Sequence, residues 1–302
     1  MLSYITWTAR PDLFILGNWE VRWYGMFFAI GFYVGLLMIS KIFAAEKVKE
    51  SWADSLFIYV ILATIFGARL GHVFFYAWDY YSIHPWDIIK IWEGGLASHG
   101  GAIGILIAIW LYSRQVTKRN ILWTLDRLMI PTALVAAMIR MGNLMNHEIY
   151  GVSTDLPWAF RFIENVRQWQ HGASPIFSAP SHPTQIYEAL CYLGTFVLLY
   201  TLYWKKTKTR NQEGLLLGIF FFCMFLSRFM IEFVKEDQEA FEANMTLNMG
   251  QWLSIPFILA GIFLIIRAFR RAPVYYKTEE TKKTEKAVEK NFSGKVTGKT
   301  KK

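Results

Sequence analysis

Apolar residues run along this chain in seven stretches, at about 20–43, 54–77, 96–113, 122–140, 184–204, 214–234 and 250–269. Each is close to the roughly 20 residues that a helix needs to cross the hydrocarbon layer of a bilayer. The pattern predicts an all-α integral membrane protein, a bundle of about seven transmembrane helices. Between the fourth and fifth stretches lies an interval, 141–183, with Pro157, Pro175, Pro180 and Pro183. It is too long for a simple connection and is expected to form a small external cap. Residues 1–271 then make one membrane domain. From 272 to 302, Lys alternates with Glu, Thr and Gly almost without apolar residues, which predicts a disordered basic tail.

Composition supports the membrane reading: 54% of the 302 residues are hydrophobic, 17% aromatic and 18% charged. Soluble domains carry about 25% charged residues. The net charge of +9 is distributed in a way that speaks for topology. Lys41, Lys47 and Lys49 follow the first stretch, Arg114, Lys118 and Arg119 the third. Lys205, Lys206, Lys208 and Arg210 follow the fifth, and Arg267, Arg270 and Arg271 close the seventh. The alternate loops are poor in basic residues, so the positive-inside rule puts the N-terminus outside and the C-terminus in the cytoplasm. Basic charge placed this way needs no nucleic acid partner; the tail either touches anionic lipid or is simply solvated. Cys191 and Cys223 both fall in apolar stretches and suggest no disulfide framework. No basic segment, short apolar run and cleavage site open the chain, so no removable signal peptide is expected.

On this topology, polar residues from five stretches meet near the outer leaflet. Trp23 and Tyr24 open the first, and His99 opens the third. Arg140 ends the fourth and leads into Asn143, Asn146, Glu148 and Gly151. His182, Gln185, Tyr187 and Glu188 open the fifth, and Arg228 lies about two turns before the end of the sixth. A membrane arginine costs about 2.5–3.5 kcal/mol on insertion scales and turns toward a partner or a polar cavity. Glu232, four residues beyond Arg228, is its natural partner, and the pair either neutralises itself or serves a site. Arg140 has no acid at helical spacing before it. It either snorkels to the interface or binds an anion, a phosphate by preference. Two readings are also open for His99 and its glycines: tight helix packing through Gly100 and Gly104, or proton transfer by an imidazole titrating near neutrality.

Other chemistries fail on spacing. "HEIYG" (147–151) lacks the second histidine of a zinc protease, and "HGG" (99–101) has no G-x-S-x-G to supply a serine. There is no phosphate-binding Gly-rich loop, and no metal or cofactor is implied.

Several stretches resemble the bacterial prolipoprotein diacylglyceryl transferases: "WYG" (23–25), "GARLGHVFFY" (67–76), "WEGGLASHGGAIG" (92–104), "RMGNLMNHEIYG" (140–151), "HPTQIYE" (182–188), "SRFMIEFVKEDQ" (227–238) and "NMGQWLSIP" (248–256). The most specific, 140–151, resembles the pattern G-R-x-G-N-F-x-N-x-E-x-x-G, with Ile139 standing for Gly and Leu144 for Phe. The resemblance implies an enzyme of the bacterial inner membrane that moves a diacylglyceryl group from phosphatidylglycerol to the lipobox cysteine of a prolipoprotein signal peptide. It implies a thioether product, glycerol phosphate as leaving group, and an active site toward the outer leaflet. The implied roles are His99 as base, and Arg140 and Arg228 as the phosphate-binding catalytic pair. Tyr24, Asn143, Asn146, Glu148, Gly151 and Glu232 would complete the substrate site. From the residues alone, a lipid transporter or a structural membrane subunit also remains open.

Overall fold

The computed structural model describes residues 4–16, 19–206, 209–236 and 245–277. The tail beyond 277 lies outside the described residues, as does part of the loop that precedes the last apolar stretch. Each predicted stretch is helical: α1 (Trp23–Ala45), α2 (Ser51–Tyr76), α4 (Ser98–Tyr112), α5 (Ile121–Met145), α7 (Thr184–Lys205), α8 (Leu215–Ile231) and α9 (Met249–Arg270). A short α3 (Trp78–Ile83) follows α2, and α6 (Val166–Gln170) lies between α5 and α7. Among the described residues, six helices are long and apolar enough to cross a membrane, and the chain is a multi-pass membrane protein. The third stretch differs: α4 has 15 residues and runs straight into a π-helical turn at Ser113–Thr117.

The described residues divide into two compact units, those within 1–35 and 126–273, and those within 36–125 and 274–277. In the first, α7, α8 and α9 pack in sequence order. The start of α8 depends on Asp126, a buried acid on α5. Its carboxylate accepts from the Gly214 and Leu217 N–H groups at 2.7 and 2.9 Å, satisfying donors that every helix N-terminus leaves open. α9 begins with a capping box in which Asn248 and Gln251 bond reciprocally.

The interval 141–183 is built together with the N-terminal residues, which the apolar pattern leaves unassigned. Strand β1 (Ile5–Thr6) pairs in parallel with β4 (Phe160–Arg161), while β2 (Asp12–Leu16) and β3 (Trp19–Arg22) form a hairpin leading into α1. Leu144, Phe160 and Phe162 form a small core against Trp7, Met141, Tyr150 and Ile186. His147 ties the two parts together. One ring nitrogen, Nε2, lies 2.8 Å from the Ala9 carbonyl, and the other, Nδ1, accepts from Ile163 N–H at 3.1 Å. Only the neutral Nε2–H tautomer makes both bonds, and burial holds the His147 pKa below the usual histidine value.

In the second unit α2 and α4 meet backbone to backbone. A Cβ on Gly71 would stand 2.6 Å from Gly100 Cα, and one on Gly104 would stand 2.6 Å from the Ala63 carbonyl. The glycines at 100 and 104 therefore serve helix packing, the G-x-x-x-G reading. Gly101 has only ordinary contact, 3.6 Å to Ala68 Cβ.

Candidate functional site

The polar residues of the first unit converge where α5 ends and α7 begins. Arg140 Nε lies 2.9 Å from Glu188 Oε2, and its Nη1 donates to Asn143 Oδ1 at 3.3 Å. The guanidinium also stands 5.9 Å from the Tyr192 ring centre. Glu188 is completely buried, and its other oxygen lies 3.7 Å from Lys235 Nζ. Lys235 in turn reaches Glu232 Oε2 at 3.6 Å. Desolvation pulls the Lys235 pKa below the ordinary lysine value, against the opposing influence of the two carboxylates.

The pair Arg228–Glu232 expected from helical spacing does not form. Glu232 keeps its backbone bond to the Arg228 carbonyl as the helix gives way to a 3-10 turn at Glu232–Val234, and its carboxylate goes to Lys235 instead. Arg228 keeps a buried Nε with no hydrogen-bond partner among the described residues. Arg140, Arg228 and Lys235 share this cluster with Glu188 and Glu232, and Glu148 joins it through Asn143, so three cations stand with three carboxylates.

A second lobe is built on the Glu148 carboxylate. Asn143 and Asn146 both donate to Glu148 Oε1, at 2.8 and 3.1 Å, and Gln185 donates to the Glu148 carbonyl at 2.8 Å. The turn that presents these groups is strained: His147 and Ile149 have φ of 57° and 62°. A β-branched residue there is a real outlier, of the kind that clusters at functional sites. Gly151 closes the turn. A Cβ on it would strike the Val234 carbonyl oxygen and come within 2.8 Å of His182 Cβ and Thr184 Cγ2. Its backbone bridges to Lys235, so Gly151 sets the place of that lysine. Tyr24, in the first turn of α1, lies against Gly142, where a Cβ would stand 2.8 Å from the Tyr24 ring.

The chain belongs to the prolipoprotein diacylglyceryl transferase family. The sequence model of that family matches residues 11–267. The chain is 53% identical over 273 residues to the phosphatidylglycerol–prolipoprotein diacylglyceryl transferase of Porphyromonas gingivalis, covering 89% of this chain and 96% of that protein. It is 45% identical to the Chloroherpeton thalassium protein of the same name, with the same coverage. The Tolumonas auensis protein, also of that name, is 46% identical over 86% of this chain and 96% of its own length.

Of the residues singled out by sequence, Tyr24, Arg140, Asn143, Asn146, Glu148, Gly151, Arg228 and Glu232 all belong to the first unit. His99 belongs to the second. It is exposed, 5.4 Å from the Phe75 ring and 5.5 Å from the Tyr76 ring. Gln185 and Glu188 are among the outer-leaflet polar residues expected from the sequence, but nothing at helical spacing marks them as partners of Arg140, and Lys235 and Tyr192 carry no such signal. Among the described residues, no three His, Cys, Asp or Glu side chains converge as metal ligands.

Proposed function

We propose that this protein transfers the diacylglyceryl group of phosphatidylglycerol to the lipobox cysteine of a prolipoprotein signal peptide. Family membership selects the reaction. The observation that supports its chemistry is the buried cluster of Arg140, Arg228 and Lys235, in which Arg228 Nε has no partner among the described residues, an arrangement that suits a phosphodiester monoanion. In this reading the protein lies in the bacterial inner membrane, with the N-terminus outside and the cluster toward the outer leaflet.

The steps follow from the residues. A thiol must lose its proton to become a nucleophile, and His99 accepts it. The thiolate attacks the glyceryl carbon attached to the phosphate oxygen; the C–S bond forms, the C–O bond breaks, and that oxygen keeps the electron pair. The departing glycerol phosphate thereby gains a second negative charge. Arg140 and Arg228 hold it, in surroundings where charge stabilisation is stronger than in water. Asn143, Asn146 and Glu148 position Arg140 and the lipid head, while Tyr24 donates a hydrogen bond beside them. Glu232, with Lys235, fixes the cationic wall around Arg228. The test is a lipidation assay with purified protein, phosphatidylglycerol and a lipobox peptide. A thioether-linked diacylglyceryl peptide is expected, and its absence in a folded preparation would overturn the reading.

A further inference from the structure

The cluster of the first unit is unusually rich in acceptors without donors. Asn146 Oδ1, Gln185 Oε1, both Glu188 carboxylate oxygens and Glu232 Oε2 are buried, and none accepts a hydrogen bond from a described residue. Ion pairs hold Glu188 and Glu232 in place, but they leave the oxygens' lone pairs unused in any well-aimed bond.

The amide orientations follow from chemistry. Gln185 Nε2 faces the Glu148 carbonyl and Asn146 Nδ2 faces the Glu148 carboxylate. Both partners only accept, so the amide nitrogens must face them and the amide oxygens must face elsewhere. Gln185 and Glu188 are one helical turn apart on α7, both fully buried, and share one face.

Buried acceptors left open are costly, and a ligand that fills them must bring O–H or N–H groups. The unpartnered Arg228 Nε, in a cluster with Arg140 and Lys235, calls for an anion. One molecule meets both demands if it is a phosphate carrying hydroxyls. A choline head has no donor to offer. An ethanolamine head has donors but sets its ammonium beside Arg140, Arg228 and Lys235.

We propose that Gln185 and Glu188 read the head of the lipid donor: their buried oxygens accept hydrogen bonds from its hydroxyl groups, so the site selects a phospho-polyol over an equally charged phosphodiester without hydroxyls. The proposal rests on the transferase reading above and adds the residues that choose the donor.

The test compares phosphatidylglycerol with phosphatidylpropanol, which keeps the three-carbon head and the single charge and lacks both hydroxyls. The unaltered full-length protein is expected to favour phosphatidylglycerol by about 100-fold or more in kcat/KM, because sites built to bond a hydroxyl strongly reject the analogue without it. Gln185→Met is expected to lower phosphatidylglycerol use about tenfold while phosphatidylpropanol use changes less than about threefold, so that the preference narrows. Equal use of the two donors by the unaltered protein overturns the proposal without any variant. A parallel loss on both donors in Gln185→Met and Glu188→Gln overturns it too, since a merely structural role gives that result. If the unaltered protein uses neither donor, the transferase reading falls. Equilibrium binding of short-chain forms of the two lipids then decides the headgroup claim: tighter phosphatidylglycerol binding supports it, equal binding overturns it.

Discussion

Arg69 and Arg140 look alike in the sequence, each a lone cation in an apolar stretch, and the two units use them in opposite ways. Arg69, on α2, is buried and hands its guanidinium to backbone carbonyls. Nε bonds Ile88 at 2.8 Å, Nη2 bonds Asp87 at 2.6 Å, and Nη1 bonds Gly94 at 2.6 Å and Gly95 at 3.3 Å. The Tyr81 ring covers it at 5.0 Å. It fastens the turn between α3 and α4. Arg140 instead faces groups that are charged or hydrogen-bonding themselves, with acceptors still open around it. What separates a fastener from a site is therefore how completely the partners are satisfied, and the depth of the charge does not decide it.

The contrast can be broken most sharply at Arg140. Arg140→Ala is expected to cost more than about 10³-fold in kcat, and Arg140→Lys, which keeps the charge beside Glu188, about 10²-fold. Transfer assays on both decide it, and near-normal rates would make Arg140 a fastener as well. His99→Gln is expected to slow transfer about 10²-fold and to change the shape of the rate–pH profile, as loss of a base should. An unchanged profile would take the proton-accepting role from His99 and leave the transferase reading standing. Arg69→Met is the mirror experiment. It takes the guanidinium from four carbonyls, of which Asp87 keeps the Lys90 N–H, and is expected to cost about 3 kcal/mol or more of stability, read from thermal unfolding in detergent, while the folded fraction keeps kcat within a few-fold. Gly151→Ala is expected to cost about 1–3 kcal/mol and some activity, since the added methyl meets the Val234 carbonyl and shifts Lys235.

The smallest effect concerns pH. His147 has a lowered pKa in the folded protein, so the unfolded chain binds its proton more readily. Its contribution is complete above the ordinary histidine value of about 6.5 and is lost as pH falls below that, when protonation removes the acceptor for Ile163 N–H. Melting temperatures across this window should fall with pH, and His147→Gln should flatten the dependence.

The membrane helices were readable because length and apolarity are local properties. The fifth stretch, expected at 184–204, is α7 at Thr184–Lys205. The sixth ends earlier than its apolar run because the last residues tighten into a 3-10 turn, within which Lys235, three residues on, takes the Glu232 carboxylate that helical spacing assigns to Arg228. The cluster itself was half readable. Its arginines and asparagines stand out as polar residues near hydrocarbon, whereas Glu188 acquires meaning only when α7 lies beside α5. The N-terminal strands are illegible in the sequence for the same reason: β1 exists through its pairing with β4, and two residues cannot announce a partner so far along the chain.

The glycine contact between α2 and α4 bears on how freely this sequence can vary. Ile103, Leu106 and Ile107 point outward from α4, and a saturation-mutagenesis map should show them accepting most apolar replacements. At Gly67, Gly71, Gly100 and Gly104 even alanine would drive two backbones apart. Gly100 is the residue after His99, so the imidazole inherits its placement from neighbours that carry no side chain. Such a map should therefore show glycines as the least replaceable positions around the histidine, while the aromatic rings of Phe75 and Tyr76 tolerate exchange for one another.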